Sequence, residues 1–186
     1  MRHLILVRHA QPQIVLDVPA RNWHLSPDGR ANCLPLARRL QTYRPSVLAS
    51  SLEPKAIETA DILTQLLGLP VMPVAGLHEH ERGSVRELDE EDFEASVAAF
   101  FAHPEELVLG VETARQARDR FAGALEGIVR QHPTGDVVVV AHGTVMSLFV
   151  AAYTRIEPFP FWKRLRLPDM VALELAPGPR PNPPSV

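Results

Sequence analysis

The sequence predicts an α/β sandwich built on a parallel sheet, and three observations predict it. Four short runs, Leu4–Val7, Val47–Ala49, Val71–Val74 and Val137–Ala141, are apolar without polar alternation, as expected of strands covered on both faces. Helical patterns fill the gaps between them, and strand–helix alternation implies right-handed crossovers between parallel strands. The length, 186 residues, suits one domain with a sizeable core and would be cramped for two.

The elements follow in order. Met1 to Val7 runs into Arg8-His9 with no cleavage region, so it reads as a first strand and not as a signal peptide. Ser26-Pro27 is an N-cap and first-turn pair, and Ala31, Leu34, Ala37 and Leu40 follow it at a spacing of three as the expected apolar face. Pro54 opens a second helix carrying Ile57, Ala60, Leu63 and Leu67, which stops at Gly68 before Pro70. Phe93, Val97 and Phe101 mark a third helix. Ala114, Ala117, Phe121, Leu125 and Ile128 mark a fourth, ended by His132-Pro133 and Gly135. Val145, Leu148, Phe149 and Ala152 mark a fifth, and Val171–Leu175 is a last strand that Trp162 and Arg164 to Arg166 lead into. Five prolines lie between Pro177 and Pro184, so residues 177–186 read as an extended tail after a single domain of residues 1–176. Such a tail is a loose terminus in the simplest reading and an SH3-type ligand in another.

Composition narrows the function. Apolar residues are 46% and charged residues 22%, a globular balance. The net charge of −3 offers no basic field for nucleic acid. No apolar run approaches the roughly 18 residues of a membrane span. Cys33 is the only cysteine, which excludes an intramolecular disulfide framework and a cysteine-rich zinc site. A soluble, cytoplasmic protein with no nucleic-acid or membrane partner is the expectation.

Open parallel sheets bind ligands outside the carboxyl ends of their strands. Arg8 and His9 follow the first strand. Ser50, Ser51 and Lys55 follow the second, His78 to Arg82 the third, and His142-Gly143 the fourth. Cations, imidazoles and a carboxylate therefore gather at one edge, the composition of an anion site with acid–base chemistry. No G-x-G-x-x-G, no G-x-x-x-x-G-K-[ST] and no G-x-S-x-G is present, so a bound phosphate would be held by side chains.

These residues resemble the histidine phosphatase superfamily, also called phosphoglycerate mutase-like. Leu6-Val7-Arg8-His9-Ala10 resembles its R-H-[GA] signature, and Leu25-Ser26-Pro27-Asp28-Gly29 its L-[ST]-x-x-G helix entry. Ser50 to Ala60 is similar to S-S-x-x-x-R-A-x-x-T-A, and Leu77-His78-Glu79 with Gly83 to the L-x-E…G stretch. Glu112-Thr113 with Arg120 resembles its E-S…R helix, and Val140-Ala141-His142-Gly143 its V-[SA]-H-G. The order holds over nearly the whole chain outside the tail. The resemblance implies a three-layer α/β/α sandwich with a mostly parallel central sheet. It implies His9 as a nucleophile that forms a phosphohistidine, with its other ring nitrogen donating to an acceptor. It implies Arg8 and His142 on the non-bridging oxygens and Glu79 as general acid and base. No metal and no cofactor are expected, and the partner is a small phosphomonoester.

Two departures stand out. Lys55 occupies the place of a second arginine, which keeps charge but loses the planar fork. The expectation is a working enzyme weaker by roughly 10–1000-fold, with Lys55→Arg raising kcat/KM; alternatively Arg82 or Arg21 supplies the fork. Gln11-Pro12-Gln13 replaces the family's usual phosphate-lining residues, and Gln11 reads equally as a donor or as plain loop.

Simpler readings stand beside these. His3, His24, His103 and His132 are assigned no role. His78-Glu79-His80-Glu81 lacks the H-E-x-x-H spacing of a metal motif and reads as a polar loop, with His80 or Arg82 candidates for contact beyond the phosphate. The acidic run Glu87–Glu94 reads as a solvated helix start, and Phe93, Phe100 and Phe101 as core. Residues 80–110 are the expected source of substrate selectivity. Phosphomonoester hydrolysis is the leading reading. A mutase, which must keep water from the phosphohistidine, and a non-catalytic phospho-ligand binder, favoured only by Lys55, are the alternatives.

Overall fold

The computed structural model describes residues 1–82 and 90–175. Strand β1 (Arg2–Arg8) is followed by a 3-10 turn at Ala20–Asn22 and helix α1 (Pro27–Leu40). Then come β2 (Pro45–Ser50), α2 (Pro54–Leu67), β3 (Val71–Pro73), α3 (Glu90–Ala102) and α4 (Ala114–Gln131). The chain ends with β4 (Asp136–Ala141), α5 (Gly143–Thr154), α6 (Pro158–Arg164) and β5 (Asp169–Leu175). The sheet order is β3-β2-β4-β1-β5, parallel throughout except for β5, which runs antiparallel to β1. Short apolar strands with helical crossovers thus give the expected three-layer α/β/α sandwich.

Alternation along β1 divides the core. Leu4 and Leu6 face a cluster with Phe121, Leu125, Val145 and Phe149 of α4 and α5. Ile5 and Val7 face a second cluster with Leu36, Leu40, Ala56 and Leu63 of α1 and α2. All six residues of β4 are buried, which is why Val137–Ala141 carries no polar alternation.

Most helix ends obey local chemistry. Ser26 Oγ caps α1 by accepting Gly29 N–H at 3.0 Å, and Gly68 ends α2 in the left-handed conformation. Thr113 and Gln116 form a capping box on α4 that the sequence reading did not single out.

Three expectations change. In α1 the buried face is Cys33, Leu36, Ala37 and Leu40, whereas Ala31 and Leu34 are exposed. A spacing of three drifts off a face that turns every 3.6 residues, and Cys33 and Leu36 hold the correct phase. Helix α6, which holds Trp162, was not anticipated: its prolines mask the short helical pattern. The edge strands β3 and β5, read as buried, are only half-buried along most of their length because each has a neighbour on one side alone. Phe100 and Phe101 are buried in the core, and Phe93 is partly buried against it. The tail 177–186, Gly83 and the first part of the acidic run lie outside the described residues.

Candidate active site

The register of β4 with its two neighbours builds the site. Arg8 pairs with Ala141 on one side, and Ser50 with Val140 on the other. The first residues beyond each strand remain tied to β4: His9 N–H donates to Ala141 O at 3.0 Å and Ser51 N–H to Val140 O at 2.9 Å. The loops leaving β1, β2 and β4 therefore start side by side, and the His9 and His142 rings lie 5.1 Å apart between centroids.

His9 is buried, and its Nδ1 lies 2.8 Å from the carbonyl of Ala10. A carbonyl only accepts, so Nδ1 carries the proton and Nε2 keeps its lone pair. Burial, then His142 and Lys55, push the His9 pKa well below that of a free imidazole. The ring is neutral at pH 7 and nucleophilic at Nε2. The acceptor expected for its second nitrogen is thus the neighbouring carbonyl.

His142 is fully buried, and its Nε2 lies 2.9 Å from Ser51 Oγ. That hydroxyl also accepts Glu53 N–H at 3.3 Å, and His142 Nδ1 has no partner in the protein. Burial pushes the His142 pKa down to about 3. Arg8 spends Nη1 on Leu165 O at 2.6 Å. A Cβ at Gly143 would stand 3.0 Å from Arg8 Cζ, so the glycine after His142 makes room for the guanidinium. Arg8 Nε and Arg82 Nε are buried donors with no acceptor in the protein, and His142 Nδ1 is a buried ring nitrogen with no partner. Unsatisfied buried polar groups are costly, and their convergence from three loops is the signature of an anion site.

Glu79 reaches the same place. Its Oε2 accepts Thr144 N–H at 3.1 Å and its Oε1 accepts Val145 N–H at 3.2 Å, so it caps the N-terminus of α5. Burial alone would raise its pKa, but Arg82, His142 and the His80 and Thr144 amides outweigh that and hold it well below the usual carboxylate range. Because His142 is neutral at pH 7, Arg82, at 3.9 Å, and the amides sustain the effect there. Arg120 braces the loop, donating to the carbonyls of Gly76, His78 and Glu79 while pairing with Glu112 at 2.5 Å. This explains the spacing of Glu112 and Arg120 that the sequence showed.

Lys55 differs from expectation in its partners. It is buried, and its Nζ is 2.5 Å from Glu53 Oε2 and 2.6 Å from Ala20 O, so it ties α2 to the 3-10 turn. Arg82 comes to the site, near Thr144 Oγ1 at 3.4 Å and with its guanidinium 4.6 Å over the Phe93 ring. Arg21 stays exposed on the 3-10 turn, and Gln11 is exposed as well. His80 is buried with its ring 4.0 Å from Phe100. Glu53 was not anticipated, since nothing in a lone glutamate before Pro54 shows that it will be buried. Among the described residues, no group of three or more His, Cys, Asp or Glu is arranged to hold a metal ion.

The model of the histidine phosphatase superfamily (branch 1) matches residues 4–176. The chain belongs to that superfamily. Its histidine phosphatase fold is shared with solved structures: a mycobacterial hydrolase (hydrolase 2) superposes with a TM-score of 0.75 at 23% identity, over 95% of this chain and 84% of that one. A mycobacterial glucosyl-3-phosphoglycerate phosphatase superposes with a TM-score of 0.70 at 22% identity, over 87% and 84%. By sequence, a Bacillus subtilis (strain 168) protein described as uncharacterized phosphatase PhoE is 21% identical over 166 residues, covering 85% of this chain and 80% of that protein. No helix among the described residues is long and apolar enough to cross a membrane.

Proposed function

We propose that the chain is a phosphomonoesterase of small phosphorylated metabolites, working without a metal through a phosphohistidine on His9, with residues 1–176 as its catalytic domain. The observation that carries this is the pairing of a neutral, Nε2-nucleophilic His9 with buried, unpartnered nitrogens on Arg8, Arg82 and His142. The family membership and the phosphatase among the fold neighbours support it.

In the first step the His9 Nε2 lone pair attacks phosphorus, and the P–O bond to the alcohol breaks. Its electron pair takes a proton delivered through Glu79, whose carboxylate is ionised at rest and must first receive that proton, and the alcohol leaves. Arg8, Arg82 and His142 hold the non-bridging oxygens as charge shifts across them. The Ala10 carbonyl receives the Nδ1–H of the phosphorylated ring, which has become cationic. In the second step water attacks phosphorus and yields its proton to the Glu79 carboxylate. The P–N bond breaks, and its pair returns to Nε2.

The test is phosphate release from p-nitrophenyl phosphate and a panel of metabolite monoesters, in EDTA, for wild type beside His9→Ala. Turnover that survives EDTA and vanishes in His9→Ala supports the reading. Release that persists in His9→Ala, or that EDTA abolishes, sinks it. A bisphosphate requirement without phosphate release would identify a mutase.

A further inference from the structure

A buried carboxylate inside an anion pocket runs against its chemistry, and Glu53 is one, only 8% exposed. Its Oε2 meets Lys55 Nζ at 2.5 Å, while its Oε1 accepts Glu79 N–H at 2.9 Å and lies 3.5 Å from His142 Nε2. Desolvating a buried ion pair often costs more than the pair returns, and an apolar residue of similar size would avoid that cost. The charge of Glu53 therefore needs a reason beyond packing.

Charge balance supplies one. Among the described residues, Arg8, Lys55 and Arg82 bring positive charge to the pocket, and Glu53 and Glu79 bring negative charge; Asp169 also acts on Arg8 but is itself paired with Arg39 at 3.8 Å. His9, His142 and His80 are pushed toward neutrality by burial. One positive charge is left over. A phosphomonoester loses its second proton near pH 6, so its monoanion matches that remainder and its dianion exceeds it. The monoanion also carries the proton that the ionised Glu79 lacks.

We propose that Glu53, by neutralising Lys55, makes the site select the phosphomonoester monoanion. The inference rests on the phosphatase reading above and names the ionic form of its substrate. The proton on the phosphate passes to the Glu79 carboxylate and from there to the leaving oxygen as the P–O bond breaks and the P–Nε2 bond forms. Glu79 ends the step ionised, ready to accept the proton of the attacking water.

The groups facing Glu53 are Lys55 from α2, the Glu79 amide from the loop after β3, and Ser51 and His142 from the ends of β2 and β4. Arg8, His9 and Arg82 stand further out in the same pocket. His78, 3.2 Å from Glu81, acts on His142 from the loop after β3.

The experiment is calorimetric binding of inorganic phosphate to wild type, Glu53→Gln and Glu53→Asp, over a pH range that brackets the second ionisation of phosphate. Wild-type affinity should fall about tenfold per pH unit above that ionisation, as one-proton linkage requires. Glu53→Gln should lose that slope and bind phosphate at least about tenfold tighter at the alkaline end, a gain of one pKa unit's worth of selectivity. Glu53→Asp, which keeps the charge, should keep the slope. A merely structural role would weaken binding without moving the slope. Equal slopes in wild type and Glu53→Gln overturn the proposal. If Glu53→Gln does not fold, a wild-type affinity that holds through the dianion range overturns it instead. Ester turnover is read separately, so its absence counts against the phosphatase reading and not against this one.

Discussion

Thr59 Oγ1, on the second turn of α2, accepts the N–H of Ala10 at 3.0 Å while donating to Lys55 O at 2.7 Å. The carbonyl of the same residue sets the tautomer of His9. One hydroxyl on α2 thereby holds the backbone that orients the His9 ring.

Thr59→Val removes that acceptor and leaves a buried N–H unpaired. Stability should fall by about 1–3 kcal/mol in urea denaturation. Misplacing the imidazole by a fraction of an ångström should also lower kcat by about tenfold, with inorganic phosphate inhibition unchanged because Arg8 and His142 are untouched. An unaltered kcat would show that His9 needs no support from α2.

Glu79→Gln keeps the size of the side chain and removes its proton chemistry. Turnover should fall by roughly 100–10,000-fold. The loss should be smaller in the first step for an aryl phosphate, whose leaving group needs little protonation, than in water attack. Phosphoenzyme should therefore accumulate, seen as a burst of nitrophenol and as an acid-labile phosphate on His9. Equal loss in both steps would remove Glu79 from the role of base.

Arg120→Met should act on turnover through the loop that carries Glu79. Arg120 secures three carbonyls of the loop that carries Glu79, and a single ammonium cannot reach them all, so Arg120→Lys should not rescue it. The expected result is a drop in kcat of about 10–100-fold with KM and phosphate inhibition little changed. A matching rise in the phosphate inhibition constant would place Arg120 in ligand binding.

At the opposite edge of the sheet, Asp136 accepts His3 N–H and Arg44 N–H, each at 2.7 Å, and pairs with His3 Nδ1 at 3.0 Å. Burial would raise its pKa, but the Arg44 and His3 hydrogen bonds win and lower it. A carboxylate with a lowered folded pKa stabilises above its unfolded value, near 3.9, and that contribution is lost as pH falls through the folded value. Asp136→Asn should cost about 2 kcal/mol at pH 7, and the gap should close as pH falls through the lowered folded value. A gap independent of pH would mean that geometry, and not charge, holds this edge.

The parts of the fold that could be read early were those governed by local rules. Ser26-Pro27, Pro54 and Gly68 mark helix ends through backbone chemistry that acts over a few residues. The apolar runs of β1, β2 and β4 are buried by neighbours on both faces, so their composition carries the signal. Helix α1 shows where this reading slips: one residue of phase separates Leu34, exposed, from Cys33 and Leu36, buried. Helix α6 and the capping box at Thr113 were missed because short or polar signals do not stand out against loop composition.

The site divides in the same way. His9, Arg8, Glu79 and His142 lie at or beyond strand ends, where sheet topology gathers side chains whatever their exact contacts, so linear order nominated their stretches, and the family resemblance singled out Glu79 within His78–Arg82. Their states could not be read that way. The lone pair on His9 Nε2 depends on the direction of the Ala10 carbonyl, and the ionisation of Glu79 on the amides of α5 and on Arg82. The binding of Lys55 to Glu53 and Ala20 depends on how α2 meets the 3-10 turn. Residue types and their order along the chain thus specify which groups reach the edge of the sheet, because burial and backbone capping act over short spans. Packing specifies their protonation and partners, because desolvation and Coulomb energies depend on distances of a few ångströms between segments far apart in the chain.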